Sequence, residues 1–140
     1  MKKRWLAIAV LTALLTALVL YLMTPHTEIR SLTGFRCYFV PRCEVNYQSY
    51  HRDNDLYNMG IYKLNGQDAA RFVYWAQENG WSKMPLSDEA LTSGMLDEET
   101  CPEAAEIKQV TQGFWKGFHG SCLYVFDSQT ATLYIRKMPR

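Results

Sequence analysis

The sequence predicts an α+β protein: a single N-terminal transmembrane helix followed by a small antiparallel sheet of about four strands packed on one main helix. Three observations predict it. An uncharged apolar run extends from Trp5 to Met23, one later segment repeats its apolar residues with a helical period, and several short segments alternate between apolar and polar residues. The 117 residues that follow the run suffice for one domain with its own core.

The opening run has the length and composition of a membrane anchor. Its nineteen residues, at ~1.5 Å each in a helix, match a hydrocarbon core of about 30 Å. It ends in bulky residues, without the small-x-small site of a cleaved signal peptide. We therefore expect a retained signal-anchor, and cleavage stays open as the alternative.

Flanking charge predicts the orientation of this helix. Lys2, Lys3 and Arg4 precede it, whereas the six residues Thr24 to Ile29 carry no Lys or Arg. Because positive flanks stay in the cytosol, we expect a single-pass plasma-membrane protein with its C-terminal domain outside the cytosol. The expected divisions are a cytosolic basic end at 1–4, an anchor at 5–23, a stalk at 24–34 and an extracytoplasmic α+β domain at 35–140.

Alternating residues predict the strands, and a 3.6-residue period predicts the main helix. The segment 35–40 is expected to form the first strand and 57–64 the second, with an irregular segment between them. The main helix is expected at 67–79, where Asn65 or Asp68 caps its start and Gly80 follows its end. Short helices are expected from Ser87 and from Thr100. A strand at 114–118 and a hairpin that turns at 127–130 complete the sheet.

Four cysteines follow the anchor: Cys37, Cys43, Cys101 and Cys122. In an extracytoplasmic domain an even number indicates two disulfide bonds, for which three pairings exist. We expect Cys37–Cys43 and Cys101–Cys122, because close neighbours meet easily in an extended turn. Buried free thiols are the alternative.

Aromatic residues are the most unusual feature of the domain. Tyrosines, amides and charged residues alternate in one segment, and flat rings beside polar groups suit a sugar-binding or peptide-binding surface. The candidate ligand contacts are Tyr47, Tyr50, His51, Arg52 and Tyr57. The alternative is that these rings cover the sheet.

The remaining motifs argue against catalysis and against nucleic-acid binding. The cysteine spacing does not fit a zinc site, so we expect no metal and no cofactor. Beyond the anchor there are 12 basic and 14 acidic residues, which does not make a basic nucleic-acid surface. The sequence predicts a binding module for an envelope glycan or a membrane-protein partner. The alternatives are a structural or regulatory subunit that acts through its membrane helix and, third, a cysteine-dependent enzyme that uses Cys122 with His119.

Overall fold

The computed structural model describes residues 2–22, 25–50, 55–118 and 120–138. It contains five α-helices, namely α1 Lys2–Leu22, α2 Pro25–Thr33, α3 Gly66–Glu78, α4 Asp88–Thr92 and α5 Ala104–Lys108, and a 3₁₀ turn at Gly94–Leu96. The strands are β1 Arg42–Tyr50, β2 Leu56–Lys63, β3 Ser82–Lys83, β4 Gly113–Phe118, β5 Cys122–Asp127 and β6 Thr132–Lys137. They form one antiparallel sheet in the order β1-β2-β6-β5-β4-β3. The α+β class is confirmed, whereas the expected number of about four strands is wrong because the sheet has six.

The first helix, α1, is long and apolar enough to cross a membrane. The 19 residues Lys3–Tyr21 have a mean hydropathy of 1.9, and no part of them is buried against the rest of the described chain. The hydroxyl groups of Thr12 and Thr16 donate hydrogen bonds to the carbonyls of Ile8 and Thr12, each at 2.9 Å. The helix therefore satisfies its own polar side chains, as an apolar surrounding requires.

The segment that follows α1 belongs to the domain. Residues 25–33, which lie within the predicted stalk, form α2, and its Ile29 is fully buried in the core. The Glu28 carboxylate accepts a hydrogen bond from the Tyr62 hydroxyl of β2. Residues 25–33 are thus packed against the sheet and do not form a free polar stalk.

The first strand begins later than the sequence predicts. Residues 35–40 form a loop instead of a strand, because the buried carboxylate of Asp68 takes the amides of Tyr38 and Phe39 that a neighbouring strand would otherwise bond. Phe35 and Cys37 are apolar because they fill the core. The segment expected to be irregular forms β1 instead, an edge strand whose side chains alternate between exposed and half-buried positions.

The sheet has one helix-covered core on each side. The α3 face is the side that α2 and α3 cover, and its strand residues are Tyr62, Phe114, Tyr124, Phe126, Leu133 and Ile135. The α5 face is the side that α4, the 3₁₀ turn and α5 cover, and its strand residues are Tyr57, Met59, Ile61, Leu123, Val125 and Tyr134. The expectation of one main helix against the sheet accounts for the first of these cores alone.

Local signals for α3, α4 and the β5–β6 turn are confirmed, whereas the helix expected from Thr100 begins later, as α5 at Ala104, without a side-chain cap. The main helix α3 begins after Asn65, whose side chain accepts a hydrogen bond from the Gln67 amide at 2.9 Å, and Gly80 follows it with a φ of 73°. Ser87 caps α4 by accepting from the Ala90 amide at 3.2 Å. Asp127 holds the β5–β6 turn by accepting from the Gln129 amide at 2.9 Å.

The expected disulfide bonds are not formed, and all four cysteines are free thiols. Cys101 lies in the core of the α5 face, whereas Cys122 packs against the core of the α3 face, so the sheet separates them. Cys37 points into the α3-face core, while Cys43 is exposed on the edge strand. The two members of each expected pair therefore lie in different surroundings.

Candidate binding cleft

The predicted ligand residues do not form one exposed surface in the part of the chain that the structure describes. The Tyr47 hydroxyl donates to Glu103 Oε2 at 2.6 Å, and Tyr57 is 7% exposed with the Arg136 guanidinium 4.7 Å above its ring. Tyr50 is 70% exposed, and alternation along β1 turns it to the opposite side of the strand. His51 and Arg52 lie outside the described residues, and ligand binding by this set stays a prediction.

A cleft opens at another place, where the end of the β4–β5 hairpin meets α4 and the 3₁₀ turn. Its volume is about 610 Å³, within the range of ligand-binding clefts. The lining combines two aromatic rings, an apolar floor and a polar rim. The residues concerned are Ser87, Glu89, Ala90, Thr92, Ser93, Gly94, Met95, Trp115, Gly117, Phe118, Gly120, Cys122 and Leu123.

Helix α4 presents the polar rim of the cleft. The Thr92 hydroxyl donates to the Asp88 carbonyl at 2.9 Å, and the Ser93 hydroxyl donates to the Ala90 carbonyl at 2.8 Å. Each hydroxyl oxygen thus keeps its acceptor capacity for another donor. Glu89 adds one carboxylate to the lining. The rim can accept hydrogen bonds from a polar ligand, such as an amide.

Trp115 of β4 supplies the clearest indication of a ligand. Its ring lines the cleft, and its indole Nε1 is buried without a hydrogen-bond partner among the described residues. Buried donors are almost always paired in folded proteins, and an unpaired one costs about 1–3 kcal/mol. An acceptor that reaches Nε1 when a ligand occupies the cleft would remove this deficit.

The neighbouring edge of β4 lacks a strand partner. The two-residue strand β3 pairs Lys83 with Phe114 and Ser82 with Trp115, and no strand of the described chain pairs beyond that point. The Met84 amide donates to the Gly113 carbonyl at 3.1 Å, so residue 113 directs its backbone groups toward β3. Because antiparallel strands alternate these directions, Gly117 also directs its N–H and C=O groups outward, where the residue is exposed.

Two of the four thiols are buried in the cores of the sheet. Burial, followed by the charge of Asp68, raises the pKa of Cys37 to about 12, and burial also raises the pKa of Cys101. Both thiols are therefore poor nucleophiles at neutral pH. His119, the suggested partner of Cys122, lies outside the described residues. Among those described, no three His, Cys, Asp or Glu side chains cluster closely enough to hold a metal ion.

No sequence motif indicates Trp115 or Gly117 as site residues, because an unpaired strand edge depends on where β3 ends, and residues distant in the sequence decide that. Comparisons of the chain with protein-family models, with curated proteins and with solved structures find no match.

Proposed function

We propose that this protein is a single-pass, membrane-anchored binding module whose extracytoplasmic domain holds an extended polypeptide segment of a membrane-protein partner along the free edge of β4. The observation that carries the proposal is the outward-facing backbone of Gly117 beside a cleft lined by Trp115, whose indole N–H has no partner among the described residues. α1 is the anchor, and the basic residues before it favour a cytosolic N-terminus.

An added peptide strand fits both parts of this site. Its backbone would pair with Gly117 and continue the sheet where β3 ends. Alternate side chains of that peptide would then face the cleft, where Trp115 and Met95 offer apolar contact and the rim of α4 offers acceptors. A glycan would use the rings of Trp115 and Phe118 and would not need the strand edge, so the two ligand classes are separable by experiment.

The second candidate is a subunit that acts through its membrane helix. Both threonine hydroxyls of α1 donate to carbonyls of their own helix, which leaves neither of these donors for a partner helix and favours the outer domain as the working part. Replacing residues 5–23 with an unrelated apolar helix separates the two. Function that survives the replacement supports the outer domain, and function that is lost supports the helix.

The sharpest test compares Gly117→Pro with Gly117→Ala. Proline removes the N–H that a bound strand would use, and an edge strand tolerates it because that N–H points away from the sheet. Alanine keeps the N–H, and its Cβ would lie 3.5 Å from the Trp115 ring, an ordinary contact distance. In intact cells, a photo-reactive amino acid at position 118 captures what lies on the edge.

We expect one cross-linked polypeptide with the native chain and the alanine variant, reduced about tenfold or more by proline, because one backbone hydrogen bond and its neighbouring pairing are lost. Trp115→Phe should also weaken capture, because it removes the indole donor and keeps a ring. Equal capture by the proline and alanine variants, with both chains folded, would contradict strand addition. Loss with Trp115→Phe alone would favour a glycan or another ligand of the cleft.

A further inference from the structure

Three consecutive apolar side chains project from the loop that precedes β1. The residues Tyr38, Phe39 and Val40, called here the 38–40 loop, are 70%, 47% and 68% exposed. Soluble surfaces seldom expose such a run without a binding purpose. Phe35 and Cys37, which lie just before the loop, are buried in the α3-face core, so the chain enters the loop from a fixed position.

The loop is held in this exposed conformation by α3. The buried carboxylate of Asp68 accepts hydrogen bonds from the amides of Tyr38 and Phe39, each at 2.9 Å. Arg71 forms an ion pair with Asp68 at 2.7 Å and lies 3.4 Å above the centre of the Tyr38 ring. The apolar side chains are thus held away from the core, although burying them would lower the free energy of the folded protein in water.

The loop also lies beside the end of α1. The ring centres of Tyr21 and His26 are 5.9 Å apart, and the Thr27 hydroxyl donates to the Tyr21 carbonyl at 3.0 Å. His26 Nε2 in turn donates to the carbonyl of Cys37 at 2.9 Å, one residue before the loop. His26 therefore connects Tyr21, in the last turn of α1, to Cys37, the residue that precedes the loop.

We propose that the 38–40 loop inserts into the interfacial layer of the bilayer that α1 crosses, and that it holds the domain against the membrane at a second point. The inference rests on the membrane anchor of the proposed function. The loop lies where α1 leaves the membrane, and the interfacial layer is roughly 5–8 Å thick on each side. Tyrosine and phenylalanine are typical of this layer.

The charges around the loop suit lipid headgroups. Arg36 and Arg42 flank it and both are exposed, so they can contact phosphate groups while the rings enter the layer. Glu44 carries the nearest exposed negative charge on β1, and Arg42 already pairs with it. The Asp68 charge is buried and paired with Arg71. The occupant that this arrangement fits is therefore a phospholipid surface.

The test places a tryptophan in the loop of the full chain, reconstituted into phosphatidylcholine–phosphatidylglycerol vesicles. Phe39→Trp is compared with Tyr50→Trp, each in a chain in which Trp5→Phe removes the tryptophan of the membrane helix. Tyr50 is a suitable control because its ring is 70% exposed, against 47% for Phe39, and it lies eight residues beyond Arg42 along β1, roughly 26 Å of strand. Brominated lipids then quench whichever added tryptophan touches the bilayer.

We expect brominated lipids to reduce the added fluorescence of Phe39→Trp at least twofold and to leave that of Tyr50→Trp unchanged. Equal quenching of the two variants, or none of either, in chains that float with the vesicles overturns the insertion of the loop and leaves the anchor intact. A chain that does not float with the vesicles, or that alkaline carbonate extracts, overturns the anchor and with it this inference.

Discussion

The two faces of the sheet are stabilised in different ways. On the α3 face, rings pack against rings: Phe72 lies 4.4 Å from Phe126, 4.9 Å from Phe35 and 5.1 Å from Trp81, measured between ring centres. On the α5 face, directed hydrogen bonds between side chains accompany the apolar core. Tyr47 donates to Glu103, and the Tyr134 hydroxyl donates to Glu106 at 2.5 Å.

A buried arginine marks the contrast most clearly. Arg136 of β6 is 1% exposed, and its guanidinium donates to the Thr100 carbonyl at 3.1 Å and to the Ser49 hydroxyl at 3.2 Å. Its Nε has no partner, and no carboxylate of the described chain forms an ion pair with it. A buried charge without an ion pair lowers the stability of the folded state, so the fold tolerates it only where specific hydrogen bonds compensate.

The difference follows from the helices that cover each face. A 13-residue helix, α3, presents a continuous apolar stripe, and hydrophobic burial suffices to hold it. The α5 face is covered by two helices of five residues each and a 3₁₀ turn. Such short helices have no long stripe, and hydrogen bonds from Tyr47 and Tyr134 to Glu103 and Glu106 help to fix α5. The α3 face also has one such bond, from Tyr62 to Glu28, so the two faces differ in degree: ring packing is more extensive on the α3 face and directed polar bonds are more frequent on the α5 face.

Removing apolar volume should have the largest effect, and it should do so on the α3 face. Phe72→Ala deletes a fully buried ring that contacts four other aromatic rings, so we expect a loss of about 3–5 kcal/mol in the free energy of unfolding. Urea unfolding followed by fluorescence measures it. Tyr74→Ala is the control on the same helix, because its ring is 72% exposed; it should change stability by less than about 0.5 kcal/mol. A loss of less than about 1.5 kcal/mol for Phe72→Ala would show that ring packing does not hold this face.

Arg136 tests whether charge or volume matters on the α5 face. Arg136→Ala should lower the free energy of unfolding by about 2–4 kcal/mol, because a cavity forms and the partners of the guanidinium are left unsatisfied. Arg136→Met keeps most of the volume and removes the desolvated charge, so it should lose less than about half of that. Urea unfolding measures both losses. Equal losses for the alanine and methionine variants would show that the hydrogen bonds of the guanidinium, and not its volume, determine the contribution of Arg136 to stability.

Features that depend on neighbouring residues were predictable from the sequence, and those that depend on distant partners were not. The helix α3, the cap at Asn65 and the Asp127 turn all arise from side chains within a few residues. The loop at 35–40 depends on Asp68, about 30 residues away in the sequence. Alternation therefore predicted a strand that the Asp68 carboxylate prevents.

The candidate cleft was less predictable than the fold. The sequence predicts Tyr47 and Tyr57 as ligand contacts, because nothing in it reveals that Glu103 and Arg136 lie opposite them. The unpaired nitrogen of Trp115 and the open edge at Gly117 depend on long-range packing and on where β3 ends, which no local pattern determines.

The smallest effect is expected from the tyrosine hydroxyls of the α5 face, and pH should reveal it. Tyr47→Phe should cost about 1 kcal/mol near pH 7, because Glu103 is partly exposed and can bond water instead.

Burial and the hydrogen-bonded glutamates raise the pKa of Tyr47 and of Tyr134 above the ordinary value near 10. Above pH 10 the unfolded phenols therefore lose protons before the folded ones, and the native protein loses stability as pH rises. The double change Tyr47→Phe with Tyr134→Phe should make this decline shallower, as urea midpoints at pH 8 and 10.5 would measure. Tyr74→Phe, with its exposed ring, should leave the slope unchanged, and an unchanged slope in the double variant would mean that these phenols do not titrate differently on folding.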